Sequence, residues 1–345
     1  MEGWTETWRG IVAPWECDIT EHFTIAYYFD RLADATSTIT ESLGLDGAAQ
    51  STGRRLDVRF VRELRAGASF HILSAPLTMD EASLRLGHQF LDSANGEVTA
   101  WVEETLDIAA AELSGKTREA IERGLVPWPG PAAEHRSEPM ATEGFIPTAR
   151  DRVKPIDLGP DGNFTLAALV HRFTAGCMQG LAAIGATAAY LEAERKGFST
   201  FELALRVTGW PRLGSLVLVE TGILHLGNSS VRFLHRMADP ADGREWARLS
   251  QFGVQLDLDT RRPAALPEAL RTAAARLLAP VSQPSASLQT AFLEFLAAAT
   301  GTGVVSTDAP EWIMVRLAED VIELGKLPPV LPVLVVSLSE AVPSG

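Results

Sequence analysis

The chain has 345 residues, of which 46% are hydrophobic, and its 44 acidic residues outnumber 30 basic residues for a formal net charge of −14. This acidity, with the basic residues scattered, argues against a nucleic-acid partner, because phosphate binding needs clustered lysine and arginine. Two cysteines, no N-terminal leader pattern and an apolar run near 327–338 broken by three prolines predict a soluble cytoplasmic protein of two or three domains, with no disulfide framework and no membrane span.

The first elements in chain order are a short strand, Gly10–Trp15, and a long helix over residues 23–43. An apolar stripe on one helix face and Gly44 as a stop signal support that helix. Four strand-like segments follow at 55–63, 67–78, 82–93 and 97–108, and a turn at 92–96 joins the last two. One helix followed by clustered antiparallel strands is an α+β pattern.

The second part of the chain repeats this order. Matching residues recur at a constant offset of 147, as in the pairs Arg59/Arg206, Gly67/Gly214 and Gly96/Gly243. Phe23-Thr24 recurs as Phe173-Thr174, which predicts a second helix over 173–195. Strands are then predicted at 201–208, 214–225, 229–238 and 244–257, with a turn at 239–243.

The repeat suggests domain boundaries. We predict a first domain at 1–125, a linker rich in proline, glycine and charge at 126–160, a second domain at 161–280, and a C-terminal appendage at 281–345. Within the appendage, Leu288–Thr300 and Pro310–Gly325 have the pattern of amphipathic helices, and no chemistry is assigned to them.

The junction between the first strand and the first helix carries the candidate chemistry. Asp18 and His22 lie four residues apart just before the helix. An acid in this place faces free backbone N–H groups and the positive end of the helix dipole, an arrangement that can polarise a carbonyl and offer a base beside it. The alternative is that Asp18 or Thr20 only caps the helix.

Neighbouring side chains also have two interpretations each. Glu21 is either an auxiliary acid or a first-turn acid that complements the dipole, and His22 either positions substrate or satisfies local polar groups. Tyr27 and Tyr28 either line an acyl pocket or belong to the core. The sequence contains no Gly-x-Ser-x-Gly elbow and no metal-ligand spacing among its seven histidines, so a serine hydrolase and a metal site are not expected.

Residues 16–22, Glu-Cys-Asp-Ile-Thr-Glu-His, are similar to the acid-x-Asp-x-x-Gly-His signature of 4-hydroxybenzoyl-CoA thioesterases. Residues 26–30 resemble the segment that follows in betainyl- and carnitinyl-CoA thioesterases. The order of strand, acidic turn, long helix and four strands resembles the hotdog fold of acyl-CoA thioesterases. The resemblance covers residues 8–110 well and 165–260 weakly, and it implies two tandem hotdog domains packed as a pseudo-dimer around a central pair of long helices.

The resemblance also implies a function, hydrolysis of an acyl-CoA thioester to the free acid and coenzyme A. Asp18 would be the base or nucleophile, and the amides of Glu21 to Thr24, at the N-terminus of helix 23–43, would hold the carbonyl oxygen. Phe23, Thr24, Tyr27 and Tyr28 would contact the substrate. Coenzyme A would enter as part of a small-molecule substrate, without a separate cofactor. Assembly into a homo-oligomer is left open.

The chain also departs from the family pattern. Glu21 stands where the family has glycine, and Thr24 stands where it has asparagine. Alignment on Phe-Thr places Ala168 opposite Asp18, His171 opposite Glu21 and Arg172 opposite His22. The second domain would then be a degenerate copy that supplies the opposing wall of the site.

Two other functions stay open. One is a hotdog enoyl-CoA hydratase or dehydratase, although such enzymes generally carry Asp-x-Asn-Pro-x-His, which this chain lacks. The other is a non-catalytic acyl-CoA-binding protein, since the second copy has lost its acid. Arg54, Arg55, Arg62 and Arg65 are candidates for contacts with the phosphates of coenzyme A, or simply solvated residues at strand edges.

Overall fold

The computed structural model describes residues 3–18, 21–45, 53–108, 113–132 and 144–278. Residues 1–134 and 142–280 form one compact unit that contains both repeats. The two predicted helices at 288–300 and 310–325 lie outside the described residues, as do Ile19 and Thr20 of the candidate site.

The first repeat begins with strand β1 and the long helix α1 and continues with four strands and a short helix. Their bounds are β1 Thr5–Ile11, α1 Ile25–Ser42, β2 Arg54–Phe60, β3 Ser69–Met79, β4 Ser83–Asp92, β5 Val98–Asp107 and α2 Gly115–Gly124. The α+β prediction is confirmed, and each of the four predicted strands after the helix is present. The turn prediction at 92–96 is confirmed by the Gly96 amide, which donates to the Asp92 carbonyl at 2.8 Å, with Gly96 at φ 74°.

The second repeat has the same order with two insertions. Its elements are β6 Ile146–Arg152, α3 Leu166–Ala183, α4 Ala188–Ala193, β7 Lys196–Val207, β8 Leu216–Leu226, β9 Ser230–Ala238, β10 Glu245–Asp257, β11 Arg262–Pro263 and α5 Glu268–Ala275. The turn at 239–243 matches its first-half counterpart, since the Gly243 amide donates to the Asp239 carbonyl at 2.8 Å.

Three predicted boundaries are wrong. The second long helix begins at Leu166 rather than 173 and ends at Ala183, because Thr165 caps it by accepting a hydrogen bond from the Ala168 amide at 3.1 Å. The supposed linker at 126–160 contains β6, which pairs with β8. The first strand ends at Ile11, because residues 14–16 form a single turn of 3₁₀ helix that begins with Pro14.

Two offsets relate the halves. The elements β1 and α1 map onto β6 and α3 at an offset of 141, whereas β3 and β4 map onto β8 and β9 at 147. The six extra residues fall between α3 and β7, where α4 occupies six positions. The offset of 147 seen in the sequence is therefore correct only for the strands that follow the long helix.

Among the described residues, all eleven strands form one antiparallel sheet, ordered β1-β3-β4-β5-β2-β7-β10-β9-β8-β6 with β11 on β10. Strands β2 and β7 pair at its centre and join the two halves. Asp57 faces Ala204, its own counterpart at offset 147, so a pseudo-two-fold axis passes through this pair. The chain thus reproduces within itself the pairing that a symmetric dimer makes between subunits.

The two long helices lie against each other and against this sheet. Phe29 of α1 and Phe173 of α3 are buried in one core cluster, together with Leu56 of β2, Leu205 of β7 and Trp246 of β10. Because this cluster includes residues of both halves, each half buries part of its apolar surface against the other. The packing holds the start of α1 in a fixed position relative to the second half.

A chain of buried polar side chains crosses the first half. The Ser74 hydroxyl lies 2.7 Å from Nδ1 of His88, and Nε2 of His88 lies 3.3 Å from Glu104 Oε2. Glu104 also accepts from Thr36 at 2.6 Å and forms an ion pair with Arg54. Burial alone would raise the pKa of Glu104, but Arg54 and His88 outweigh it and lower the pKa to about 2.

The second half keeps this network without its charges. The Thr221 hydroxyl lies 2.8 Å from Nδ1 of His235, and Gln251 takes the position of Glu104. Burial lowers the pKa of His235 to about 3, so this imidazole stays neutral. The first half therefore carries a buried ion pair where the second half carries a neutral amide.

We expect Glu104→Gln, the residue type at 251, to lower the free energy of unfolding at pH 7 by about 3 kcal/mol, because the buried Arg54 loses its partner. Urea unfolding measures the change, and the double variant Arg54→Met/Glu104→Gln should lose less than the sum of the single variants. The stability from a carboxylate with a lowered pKa is present above its ordinary value of 4.5 and is lost as pH falls toward about 2. An unchanged single variant would contradict this account of the network.

Candidate active site at the start of the first long helix

The loop that enters α1 is fixed by one buried acid. Glu16 is 5% exposed, forms an ion pair with Arg31 in the second turn of α1, and accepts from the Ala13 amide at 2.9 Å. An isolated β-bridge joins Cys17 to Phe23 and closes the loop between them. Cys17 and Phe23 are therefore held together by their backbones, and Asp18 follows directly after Cys17.

Asp18 is exposed on this loop. Its Oδ1 accepts from the His22 amide at 3.2 Å, and its own amide donates to the His22 carbonyl at 2.9 Å. The two residues predicted to act together are thus held together by their backbones. The N-cap residue of α1 is Thr24, so Asp18 accepts from an amide of the entry loop and is not the cap of the helix.

His22 is held from the sheet side by an acid that the sequence reading did not identify. Its Nε2 lies 2.8 Å from Oε2 of Glu63, in the segment that follows β2. The hydrogen bond from His22 lowers the pKa of Glu63 below its ordinary value. Glu63 is therefore a carboxylate near neutral pH, and with Nε2–H donated to it a neutral His22 carries its lone pair on Nδ1.

The second half of the chain completes this cluster. Arg261, in the turn between β10 and β11, places Nη1 3.7 Å from Glu63 Oε2 and 3.4 Å from His22 Nε2. Ser199 of β7 lies 3.5 Å from the other Glu63 oxygen. Arg65 adds a second guanidinium 3.2 Å from His22 Nε2. Glu63 and His22 thus contact residues of both halves beside the loop that precedes α1. We call Asp18, His22 and Glu63 the Asp18 cluster.

The predicted oxyanion site needs a correction. The amides of Glu21 and His22 donate to the Asp18 carbonyl and carboxylate, that of Phe23 to the Leu64 carbonyl at 2.8 Å, and that of Thr24 to the Glu16 carbonyl at 2.9 Å. These four donors are occupied by the protein itself. The next amides, those of Ile25 and Ala26, make no hydrogen bond within the described residues, as expected for the first turn of a helix.

The other predicted site residues lie in different surroundings. Phe23 and Tyr28 are buried and pack ring to ring at 4.6 Å, and burial raises the pKa of Tyr28. Thr24 is the residue before α1 and makes no side-chain cap. Tyr27 is partly exposed and lies edge-on to the His171 ring at 5.3 Å, across the helix pair. A role of these four residues in substrate binding stays a prediction.

The second-half counterpart of this loop is not where the sequence alignment placed it. A bridge between Leu158 and Phe164 repeats the bridge between Cys17 and Phe23 at offset 141. Gly159 therefore stands opposite Asp18, Gly162 opposite Glu21 and Asn163 opposite His22. Ala168, His171 and Arg172 lie inside α3 instead, because Phe-Thr occurs twice in the second half and the wrong copy was matched.

The corrected alignment places Gly159 and Asn163 where the first loop has Asp18 and His22, although the second loop keeps one carboxylate, that of Asp161. It keeps the anchor, since Asp157 binds Arg172 at 2.8 Å as Glu16 binds Arg31. Gly159 and Gly162 stand where the first loop carries the side chains of Asp18 and Glu21. The prediction that the second copy lacks the candidate acid therefore holds on the corrected alignment.

A wide groove of 1780 Å³ lies between α1, the first part of α3 and this second loop. Tyr27, Ser37 and Met178 line it from the helices, and Trp210 and Leu213 line it from the segment after β7. This segment is the counterpart, at offset 147, of the one that carries Glu63 and Arg65. The groove thus occupies in the second half the place that the Asp18 cluster occupies in the first.

Among the four arginines proposed for phosphate contacts, only Arg65 joins the Asp18 cluster in the described ion pairs. Arg54 is buried against Glu104, Arg55 lies 3.4 Å from Asp57, and Arg62 pairs with Glu97. Glu63 lies between two of these arginines in the sequence and was overlooked because nothing local marks it. Arg261 is 239 residues from His22, and only the fold brings the two together.

A single protein-family profile matches the chain twice, once in each repeat. The profile of the thioesterase-like superfamily matches residues 12–118 and again 166–274. The chain belongs to the thioesterase-like superfamily. Among curated protein sequences no significant match is found.

Solved structures of thioesterases show the same double architecture. A putative oleoyl thioesterase from Lactobacillus plantarum matches with a TM-score of 0.55 at 13% identity, over 77% of this chain and 99% of its own. An acyl-ACP thioesterase from Bacteroides thetaiotaomicron matches with a TM-score of 0.54 at 10% identity, over 73% of this chain and 98% of its own. The chain is therefore two tandem hotdog domains, as expected. Superfamily membership supports thioester hydrolysis as the general activity.

The described parts of the chain contain no membrane-spanning helix and no metal-binding cluster. None of the described helices has the length and apolarity needed to cross a bilayer. No group of three or more His, Cys, Asp or Glu side chains in those parts of the chain has the arrangement of a metal site.

The left-handed backbone at Glu21 yields a stability prediction. Glu21 has φ 64° and its counterpart Gly162 has φ 76°, a conformation that costs an ordinary residue about 1 kcal/mol or more. We expect Glu21→Gly to raise the free energy of unfolding by about 1 kcal/mol. Gly162→Glu is the matched reverse and should lower it by a similar amount, since a Cβ at Gly162 would meet no atom within 4 Å. Equal stability of all three proteins in urea would contradict the strain.

Proposed function

We propose that this thioesterase-superfamily chain hydrolyses the thioester of an acyl group carried by coenzyme A, at the cluster of Asp18, His22 and Glu63. The observation that carries the proposal is the convergence of the Asp18 loop with the His22–Glu63 pair, 2.8 Å apart, at a point that Arg261 of the other half also reaches. Thioester cleavage needs a base or nucleophile, a donor for the oxyanion and a proton for the leaving thiolate. This cluster offers a residue for each.

Asp18 is assigned the role of base or nucleophile. It is exposed, so a thioester can approach it, and a carboxylate has about four lone-pair sites. It can therefore accept the His22 amide and also take a proton from water or attack the carbonyl carbon. Its fixed backbone contacts with His22 place the carboxylate in one orientation, which lowers the entropic cost of reaching the transition state.

His22 is assigned the role of proton donor and positioning group. Glu63 orients the imidazole through Nε2, as the acid of a catalytic triad does. The neutral ring can take up at Nδ1 the proton that Asp18 accepts from the attacking water and pass it to the departing sulfur. The amides of Ile25 and Ala26, at the positive end of α1, are the backbone donors proposed for the oxyanion.

The carrier of the acyl group has a second candidate. The Bacteroides protein is named as an acyl-ACP thioesterase, and a third structural match, a 12:0-ACP thioesterase from Umbellularia californica, has a TM-score of 0.51 at 12% identity, over 76% of this chain and 95% of its own. Coenzyme A and acyl carrier proteins present the same phosphopantetheine thioester. Assays should therefore include both carriers, and we propose that no separate cofactor is required.

Asp18→Asn tests the assignment. We expect the variant to keep its fold and its stability while turnover falls roughly 10²–10⁴-fold, because the amide cannot accept the proton. Release of free thiol from a panel of acyl-CoA and acyl-carrier-protein substrates measures the rate. Asp161→Asn, in the second-half loop, is the matched control and should hydrolyse at the wild-type rate.

Two outcomes would refute the proposal. Near-wild-type hydrolysis by Asp18→Asn would remove this residue from the mechanism. Hydration of a crotonyl thioester by the wild type, without release of thiol, would favour the hydratase instead.

Glu63→Gln should reduce turnover by at least about tenfold, since the neutral amide orients His22 less strongly and does not stabilise an imidazolium.

A further inference from the structure

The two halves differ where the loop before the long helix faces the segment after the central strand. The two segments are in contact in the first half and apart in the second. In the first half His22 forms a β-bridge with Arg65, and the Phe23 amide donates to Leu64, so the α1 loop is joined to the segment after β2. In the second half, across the described residues, neither Asn163 nor Phe164 makes the equivalent contact with the segment at 210–213. The groove of 1780 Å³ lies where those two segments remain apart.

The walls of the groove differ in chemistry. Ile156, Met178 and Leu213 line it with 88%, 44% and 58% of their surfaces exposed, an unusual concentration of open apolar side chains. Arg150 and Arg212 line the same second-half wall, and within the described parts of the chain neither guanidinium forms an ion pair. An apolar surface beside two uncompensated cations fits a ligand with a hydrocarbon portion and an anionic group.

The α1 wall limits how such a ligand can lie. Asp30, Asp34 and Glu41 line that side of the groove and would repel an anion, as would Asp161 in the second-half loop. The anionic group is therefore expected against Arg150 and Arg212, with the hydrocarbon portion running toward Ile156 and Met178. The groove is larger than the roughly 300–1,000 Å³ of an ordinary small-molecule pocket, so an extended ligand fits it.

We propose that this groove is a second binding site, for an acyl thioester of phosphopantetheine that is held without being hydrolysed. The assignment of the ligand class rests on the proposed function, because the groove is the pseudo-two-fold counterpart of the Asp18 cluster. Gly159 and Asn163 replace the acid and the imidazole, so the site can bind the phosphate and the acyl chain but lacks a counterpart of the Asp18–His22 pair, although Asp161 and His171 line it. The chain then holds two thioesters and cleaves one.

Ser37 allows the groove to be blocked far from the Asp18 cluster. It lines the groove on α1, thirteen residues after Thr24, which places it roughly 20 Å along the helix from the start of α1. Ser37→Trp adds a bulky side chain that should obstruct the groove from its α1 wall. Thr38→Trp puts the same side chain on the exposed neighbouring position, which does not line the groove, and is the matched control.

The probe is the S-dodecyl thioether of coenzyme A, which has no carbonyl to hydrolyse. Isothermal titration should give two equivalents bound per chain for the wild type, for Thr38→Trp and for Asp18→Asn, but one for Ser37→Trp. Arg150→Glu/Arg212→Glu, on exposed side chains, should weaken one of the two equivalents at least about tenfold by charge reversal. The S-dodecyl thioether of pantetheine, which lacks phosphate, should not respond to the arginine changes.

The outcomes separate this proposal from the one above. One equivalent bound by the wild type, or two still bound by both Ser37→Trp and the arginine variant, would overturn the second site. Thiol release is measured on the same preparations with a dodecanoyl-CoA substrate. Two bound equivalents without any hydrolysis would refute the proposed activity and leave the second site standing, whereas hydrolysis with one bound equivalent would refute the second site alone.

Discussion

The pairing of β2 with β7 is the constraint on which the rest of the structure depends. It joins the two repeats into one sheet, with Asp57 opposite its own counterpart Ala204. Backbone pairing at the centre of a sheet is obligatory, since unpaired buried N–H and C=O groups are costly. Once this register is fixed, the β10–β11 turn of the second half must lie beside the α1 loop of the first. The meeting of Arg261 with His22 and Glu63 is a consequence of that register.

The two halves keep the same supports and differ in the loops they support. Both have a buried hydroxyl–histidine pair, Ser74–His88 and Thr221–His235, and both anchor the helix entry through an acid–arginine pair. The entry loops themselves differ at every position that could do chemistry. The first carries a carboxylate, an imidazole and a strained glutamate, and the second carries glycines at two of those positions. Such a division is what one expects when a scaffold holds two sites under different functional demands.

The sequence predicted the parts of the fold that depend on local pattern. Alternating apolar residues located the strands, and turns of the Asp-x-x-x-Gly type located the hairpins, because both signals lie within a few residues. The start of the second helix was missed because Phe-Thr occurs at 164 and at 173. Both copies precede helical residues, so only the bridge between Leu158 and Phe164 distinguishes the true entry. The strand β6 was missed for a similar reason, since its charged and proline-containing sequence resembles a linker.

The sequence predicted some residues of the candidate site and not others. Asp18 and His22 are four residues apart and could be found together, whereas Glu63 and Arg261 reach His22 only through the fold. The amides predicted to hold the oxyanion are occupied by Asp18, Leu64 and Glu16, a matter of loop geometry that no residue pattern encodes. The family resemblance named amides that bind other protein groups, and the site residues that it named stay a prediction.

The position of a bound thioester tests the central claim most directly. A crystal structure of the Asp18→Asn protein with an intact acyl-CoA substrate would show it. The account predicts a thioester carbonyl carbon within about 3.5 Å of the residue 18 side chain, with the carbonyl oxygen toward His22 and the first turn of α1. A thioester that lies elsewhere in every copy, with the Asp18 loop empty, would contradict it.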